Sequence, residues 1–133
     1  MTETGLPPRP LSPFTTVWRW HLTMFTSIMH RVTGVGLYGG ALIAAGWAIA
    51  LASGPDAYAA YMGLLGSILG RIVLFGMTVA LFYHLANGIR HLVWDFGHGL
   101  DIKSANFSGV VVIAFAVTAS IGLWIVAAMM GVL

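Results

Sequence analysis

The chain has 133 residues, of which 59% are hydrophobic and 8% charged, and its formal net charge is +2. These residues supply too little polar surface for a water-soluble globule of this size, so the composition predicts a membrane protein. The chain contains no cysteine, which excludes disulfides, a Cys-ligated iron–sulfur cluster and a covalently attached c-type haem. Its few positive charges are scattered instead of forming a basic stripe, which argues against nucleic-acid binding.

The first element is a proline-rich segment over residues 1–13. Because proline breaks helices and sheets, we expect an extended arm at the membrane surface or against a partner. We assign residues 1–26 to this N-terminal arm and the interfacial start, and residues 27–133 to a transmembrane domain. Residues 1–20 lack the continuous apolar core of a secretory signal, and with only two arginines and with Glu3 present they are unlike a mitochondrial presequence. These features favour a bacterial cytoplasmic (inner) membrane over the mitochondrial inner membrane.

Three uncharged stretches follow, each close to the ~20 residues that cross a hydrocarbon core. They cover residues 32–52, 72–89 and 110–133. A turn signal with Gly54 and Pro55 closes the first stretch, and residues 57–70 then predict a short amphipathic helix or a loop. The pattern predicts an all-α membrane protein with three transmembrane helices joined by short loops.

The positive residues predict how these helices are oriented. Three precede the first stretch and two lie between the second and the third: Arg9, Arg19, Arg31, Arg90 and Lys103. Positive residues mark the cytoplasmic side of a membrane protein. We therefore expect a multi-pass chain with its N-terminus and the 90–103 loop in the cytoplasm and its C-terminus outside.

Small residues form a ridge along the first predicted span. They are Gly36, Gly40, Ala44, Ala48 and Ala52, each four residues from the next. Such a ridge allows a neighbouring helix backbone to approach closely, which predicts a packing face. The alternative is that glycine and alanine are simply common in membrane helices, and in either case the ridge carries no chemistry.

The second predicted span places a histidine on a similar ridge, because Gly76, Ala80, His84 and Gly88 are four residues apart. A large flat group could fit beside His84, and a neutral imidazole inside an apolar span is a common axial ligand of haem iron. A histidine that hydrogen-bonds across helices is the alternative. His91 shares the face of His84 but lies about 10 Å nearer the cytoplasm, so it suits a haem propionate rather than the same iron.

At the start of the first span, Ser27 and Arg31 are separated by one helical turn, and His30 lies beside them. The functional interpretation requires Arg31 to face inward, whereas the alternative is an arginine that extends to the headgroups beside a helix-capping serine. We expect His30 to lie level with His91 and about two turns shallower than His84, which argues against an intrachain pair of axial histidines. A six-coordinate haem would then take its other ligand from a second membrane subunit.

Three motifs occur in order: Arg9-Pro10, S-I-M-H-R-V-T-G over residues 27–34, and H-L-A-N-G-I-R-H-L-V-W-D-F-G over residues 84–97. They resemble the cytochrome b subunits of succinate dehydrogenase. That family carries an Arg-Pro arm, an S-x-x-H-R-x-[S/T]-G start of the first span, and an H-x-x-x-G-x-R-H-x-x-x-D-x-G end of the second. The resemblance covers roughly residues 9–97, and the third span adds matching topology.

This resemblance implies that the chain forms half of a heterodimeric helical bundle with a second membrane anchor subunit. It implies that His84 is an axial ligand of a haem b shared between these two subunits. His30, Arg31 and His91 fall where the family surrounds the haem propionates. Ser27 and Arg31 fall at the ubiquinone site, where a hydroxyl donor and a fixed guanidinium can stabilise negative charge that develops on the quinone oxygens.

The resemblance also implies an iron–sulfur subunit and a flavoprotein subunit, and only these partners hold the iron–sulfur clusters and the FAD. The complete complex would pass electrons from succinate, in the tricarboxylic acid cycle, to ubiquinone. We expect no activity from the chain alone.

Two further residues of the last motif have a structural interpretation. Asp95 is expected to pair with Arg90 at the end of the second span, with a contact to the iron–sulfur subunit as the alternative. Trp94 fits the aromatic belt of a membrane interface, where no function is needed to explain it.

Three other functions compete with this interpretation. One is a haem-free structural anchor, and a second is the anchor of a quinol:fumarate reductase that runs the reaction in reverse. The third is a small transporter or channel component. Such a component would place ionisable residues through the middle of its spans, and here only His84 comes near that position.

Overall fold

The computed structural model describes residues 17–131, and within this range it contains α-helices and no strand. The helices are α1 (Leu22–Ser53), α2 (Pro55–Gly66), α3 (Ile68–Asp95) and α4 (Ile102–Met129). α1, α3 and α4 are long and apolar enough to cross a membrane, with mean hydropathies of 1.8, 1.7 and 2.5 over their most apolar windows. The prediction of an all-α membrane protein with three spanning helices is confirmed.

Each long helix begins before the uncharged stretch that predicted it, because a charged residue ends an apolar run without ending a helix. α4 ends at Met129, earlier than the predicted residue 133, and Gly131 just beyond it has a φ of +69°. α1 begins at Leu22, so Ser27, His30 and Arg31 lie inside the helix instead of at its first turn. The proline-rich arm, with its Arg9-Pro10 motif, lies outside the described residues. So do the last two positions of the third predicted span.

The turn after α1 forms where the sequence predicts it. Gly54 has a φ of +109°, a conformation that glycine adopts without the penalty of a Cβ. Pro55 is the first residue of α2, where its missing N–H is not needed. α2 packs against α1, and the hydroxyl of Tyr61 donates a hydrogen bond to the carbonyl oxygen of Ile43 at 2.8 Å.

The chain passes from α2 to α3 through a close backbone contact at Gly70. A Cβ at this position would clash with backbone atoms of Leu64 and Leu65, which cannot move aside as a flexible side chain could. We expect Gly70→Ala to destabilise the fold by about 1–3 kcal/mol or more, measured as a lower thermal unfolding temperature of the purified complex. Gly63→Ala is the matched control because a Cβ there meets no atom within 4 Å. Equal stability of the two variants would contradict this contact.

α3 is the central helix and packs against both α1 and α4. The buried apolar cluster is small and comprises Tyr83 of α3 with Val112 and Ala116 of α4. Nearer the start of α4, Gly109 lies against Leu22 of α1. Small residues on α4 thus allow close packing, while many large apolar side chains of the spans remain exposed. Such a surface suits lipid or other membrane subunits.

The small-residue ridge of α1 is a packing face at two of its members. Gly36 and Gly40 lie against the side chain of Met77 in α3. Farther along, Ala44 lines an open apolar groove of about 740 Å³ between α1, α3 and α4. Ala48 is exposed. The helices therefore pack more closely at one end of the ridge than at the other.

α4 begins with a side-chain cap in the loop after α3. A carboxylate oxygen of Asp101 accepts a hydrogen bond from the backbone N–H of Ser104 at 2.9 Å. Hydrogen bonding by the Ser104 side chain, and then by this backbone N–H, lowers the pKa of Asp101 below its ordinary value, so the carboxylate is charged at neutral pH. The cap therefore stabilises the start of α4 at neutral pH and is lost as the pH falls through that lowered pKa.

Candidate functional site

Two polar faces lie side by side on the second half of α3. One comprises Tyr83, Asn87 and Arg90, and the other comprises His84, Gly88 and His91. Consecutive helical residues are about 100° apart around the axis, so the one-residue offset turns the second face away from the first. The first face is buried between the helices, and the second is partly open.

On the histidine face, one nitrogen of His84 is bound to α1. Its Nδ1 lies 3.1 Å from the carbonyl oxygen of His30 and 3.2 Å from Oγ1 of Thr33. The Thr33 hydroxyl donates its own hydrogen to the carbonyl oxygen of Met29 at 2.8 Å. Both neighbours of Nδ1 are therefore acceptors, so we assign the hydrogen to Nδ1. In a neutral imidazole this leaves the lone pair of Nε2 free, as in most histidines that ligate a metal.

Gly34 provides the space for the His84 ring. A Cβ at this position would lie 3.1 Å from Cε1 of His84, closer than an ordinary van der Waals contact. Thr33 and Gly34 are the last two residues of the 27–34 motif. One binds the imidazole and the other gives it room, so these motif positions have a physical role that spacing alone did not reveal.

His30 stacks on His84, with ring centroids 3.9 Å apart and ring planes 10° from parallel. Its ring is also 5.2 Å from that of His91. The expectation that His30 lies two turns shallower than His84 is wrong, because α1 begins at Leu22 and His30 falls about two turns inside the helix. The stack gives another reason against an intrachain axial pair. Axial ligands point in-plane lone pairs at the iron from opposite sides, and parallel rings in face contact cannot do so.

The His30 ring lies beside Gly88, where a Cβ would make an ordinary contact with Cε1 of His30 at 4.0 Å. Part of the room predicted beside His84 is therefore taken by this imidazole. The rest of the small-residue face is open, since a Cβ at Gly76 would meet nothing within 4 Å. Nδ1 of His30 is buried and has no hydrogen-bond partner among residues 17–131.

Ser27 and Arg31 lie at the edge of this histidine cluster. Ser27 is half-buried and Arg31 is exposed on the surface of α1. In this chain alone Arg31 does not face a bundle interior, so the inward orientation requires another chain against this face. Within residues 17–131 no three His, Asp or Glu side chains are grouped to hold a metal ion.

The buried face of α3 is centred on Arg90, which is 5% exposed. Nε donates to Oγ of Ser108 (2.9 Å), Nη1 donates to Oγ1 of Thr26 (2.9 Å) and Oδ1 of Asn87 (3.2 Å), and Nη2 donates to the carbonyl oxygen of Ala105 (2.6 Å). These four neutral acceptors belong to α1, α3 and α4. Arg90 therefore joins all three spanning helices.

The expected pairing of Arg90 with Asp95 is wrong. None of the four acceptors of Arg90 is Asp95, which is exposed. Five residues of α-helix place the two side chains about 140° apart around α3, so Asp95 points away when Arg90 faces inward. The signal that sequence reasoning missed is the spacing of Tyr83, Asn87 and Arg90, which puts three hydrogen-bonding side chains on one face.

Trp94 lies between the two faces at the end of α3. The guanidinium carbon of Arg90 is 4.1 Å from its ring centroid, a cation–π contact. The His91 ring stands edge-on to it with centroids 5.1 Å apart, and its indole N–H donates to the carbonyl oxygen of Gly99 at 3.1 Å. Trp94 thus connects the buried cluster to the histidines, in addition to its place at the predicted interface.

Residues 5–123 match the model of the family described as the succinate dehydrogenase/fumarate reductase transmembrane subunit. The chain belongs to this family. The match includes all three motifs, and the resemblance that they carry is confirmed. As a transmembrane subunit of this family, the chain is one member of an oxidoreductase complex and spans the membrane with α1, α3 and α4.

Several relatives of this transmembrane subunit are named as cytochrome b subunits of succinate dehydrogenase. The succinate dehydrogenase cytochrome b556 subunit of Paracoccus denitrificans is 42% identical over 113 residues, covering 85% of this chain and 87% of the relative. The mitochondrial cytochrome b560 subunit of Sus scrofa is 42% identical over 120 residues, covering 86% and 69%. The cytochrome b556 subunit of Rickettsia felis is 35% identical over 117 residues, covering 88% and 91%.

Proposed function

We propose that this chain binds haem b together with a second membrane subunit, and that the two form the ubiquinone reduction site of a succinate dehydrogenase. The observation that carries the proposal is the hydrogen bonding of His84. Its Nδ1 is bound to the His30 carbonyl oxygen and the Thr33 hydroxyl of α1, which leaves Nε2 as a free ligand nitrogen. The relatives are named cytochrome b subunits, which supports the same cofactor.

The residues around His84 fit an axial ligand of haem iron. An N–H donated to a carbonyl oxygen fixes the tautomer and makes the other nitrogen more basic. Because the chain contains no cysteine, the haem would be held without a covalent bond. When bound, the haem supplies a one-electron store beside the quinone site. His84 would give one ligand to the haem iron, and a second ligand would come from the second membrane subunit.

His30, Arg31 and His91 would hold the haem propionates. The His30 ring contacts those of both His84 and His91, and Arg31 follows His30 on α1. The buried Nδ1 of His30 has no partner, and a propionate oxygen could supply one. The guanidinium of Arg31 can form the charge-assisted hydrogen bonds that suit a carboxylate.

Ser27 and Arg31 would bind the ubiquinone headgroup where another subunit covers this surface of α1. The Ser27 hydroxyl donates to a quinone oxygen, and Arg31 stabilises the negative charge that develops there during reduction. Their position supports this role, because Ser27 is half-buried, Arg31 is exposed, and both lie one residue from groups that contact α3.

The site lies at one end of the helices. Thr26 lies near the start of α1 and Arg90 near the end of α3, and a hydrogen bond joins them. Most of the positive residues of the sequence lie close to these two helix ends. By the distribution of positive charge this end is cytoplasmic. There the iron–sulfur subunit, which receives electrons from the flavoprotein subunit, can reach the quinone. We assign the complex to a bacterial cytoplasmic membrane, with the N-terminus inside and the C-terminus outside.

Purification of the chain in mild detergent tests this function. We expect a flavoprotein, an iron–sulfur subunit and a second membrane subunit to accompany it, with a b-type spectrum in the dithionite-reduced minus oxidised difference. These partners without the spectrum would identify a haem-free anchor. Faster quinol:fumarate than succinate:quinone turnover in the same preparation would favour the reverse reaction, whereas the names of the relatives favour succinate oxidation.

A further inference from the structure

Two adjacent residues of α3 hydrogen-bond to two carbonyl oxygens of α1 that are one helical turn apart. The hydroxyl of Tyr83 donates to the carbonyl oxygen of Thr26 at 2.7 Å. Nδ1 of His84 lies 3.1 Å from the carbonyl oxygen of His30. Arg90 adds a third contact, from Nη1 to the Thr26 hydroxyl at 2.9 Å. Three side chains of α3 thus hold one edge of α1.

The hydrogen bonds at Thr26 are buried from water, and the donor and acceptor of each can be assigned. Thr26 is 0% exposed, and Tyr83 is 6% exposed. The Thr26 hydroxyl donates its hydrogen to the carbonyl oxygen of Thr23 at 3.0 Å. Its oxygen therefore acts as the acceptor in the hydrogen bond from Arg90. A buried polar group left without its partner is costly, so this arrangement strongly resists rotation of α1.

Ser27 and Arg31 each follow one of the held residues, so both lie about 100° farther around α1. Their distance from the His84 face therefore depends on how α1 is rotated about its axis. A side chain about 5–6 Å from a helix axis moves by about 2 Å when the helix rotates by about 20°. A displacement of about 1 Å in a catalytic site can reduce turnover by about 100-fold.

We propose that Tyr83 and Arg90 are positioning residues of the ubiquinone site, acting through Thr26 to fix the rotation of α1 and so the placement of Ser27 and Arg31. This inference rests on the proposed function. Neither residue touches the quinone. Each sets the geometry of residues that do.

Tyr83→Phe in the purified four-subunit complex tests the inference, because it removes one hydroxyl and keeps the shape of the ring. We expect the KM for ubiquinone to rise about fivefold, the change that the loss of one ordinary hydrogen bond produces. Succinate-to-dye activity and the b-type spectrum should be unchanged. Arg90→Lys, which keeps the charge but loses the branched donors, should raise the KM further.

Tyr61→Phe is the matched control. Tyr61 also donates a hydroxyl to a carbonyl oxygen of α1, at Ile43 and 2.8 Å, so the same kind of bond is lost from the same helix far from Ser27. A merely structural role would make the two tyrosine variants alike. We expect Tyr61→Phe to lower thermal stability and leave the KM for ubiquinone unchanged. An equal KM in both variants would overturn the inference.

The effect should also depend on Ser27. If Tyr83 acts by placing this hydroxyl, Tyr83→Phe should change the KM much less in a Ser27→Ala background than in the wild type. An undiminished effect in that background would overturn the proposed route through Ser27. Loss of quinone reduction in Ser27→Ala, with no change in Tyr83→Phe, would overturn this inference and keep the proposed function. Full activity in both Ser27→Ala and Arg31→Ala would overturn the proposed function itself.

Discussion

His84→Ala is expected to remove the b-type difference spectrum from the purified complex. The substitution deletes the one imidazole whose Nδ1 is fixed by α1 and whose Nε2 is free. Loss of a residue that only orients a metal ligand weakens metal binding by about 10- to 100-fold, so loss of the ligand itself should exceed that range. The measurement is the haem-to-flavin ratio of the complex, from the difference spectrum and the bound FAD.

His98→Ala is the control, because His98 lies exposed in the loop after α3. It should keep the full haem content at the same expression level. His91→Ala should retain the spectrum with a shifted midpoint potential, since His91 is assigned to a propionate and not to the iron. An unaltered spectrum in His84→Ala would refute the ligand assignment.

Arg31→Ala and Ser27→Ala should impair the reduction of ubiquinone by succinate. In the proposed site the guanidinium and the hydroxyl would stabilise charge that develops on the quinone oxygens, and the removal of one such group typically lowers turnover by about 100-fold or more. We expect Arg31→Ala to have the larger effect because it removes a full positive charge. Reduction of an artificial dye by the soluble subunits should persist, so the ratio of quinone to dye activity is the quantity to measure.

Arg71→Ala is the matched control for the arginine. Arg71 is also exposed, but it lies near the start of α3, at the opposite end of the helices. Its removal should leave the activity ratio unchanged. If Arg31→Ala lowered the quinone and dye activities equally, the result would indicate failed assembly and contradict a role at the quinone site.

The spanning helices were predictable from sequence for a simple reason, and His84 became a candidate ligand for a related one. A bilayer imposes a minimum apolar length, which the three uncharged stretches satisfy. A histidine in such a stretch is conspicuous because few polar groups are tolerated there. The helix ends were not predictable in the same way, because polar residues continue a helix beyond the hydrocarbon. This error placed His30 at a helix end, whereas its ring stacks on that of His84.

The supporting contacts around His84 could not be derived from spacing. Thr33 and Gly34 are ordinary residues for a membrane helix, and their roles depend on where α1 crosses α3. The interior position of Arg90 was missed because arginine at the end of a span usually faces water or headgroups. In this fold it is compensated by neutral oxygens from three helices.

The contacts of Ser27 and Arg31 could not be predicted for a different reason. If the site is shared between two chains as proposed, its contacts depend on both sequences and cannot be derived from one of them. The exposed Arg31 and the buried, unpartnered nitrogen of His30 lie next to each other in sequence on α1. Both observations agree with a second membrane subunit and a haem at this edge of the bundle.

The most direct test is a chemical rescue, in which the His84 side chain is removed by mutation and free imidazole is then added. In a complex carrying His84→Gly, we predict that the b-type spectrum is absent or weak and is restored by added imidazole and haem. The His98→Gly complex should keep its spectrum with no dependence on imidazole. A His84→Gly complex that retains a full, imidazole-independent b-type spectrum would contradict the assignment of His84 as the residue that holds the haem iron.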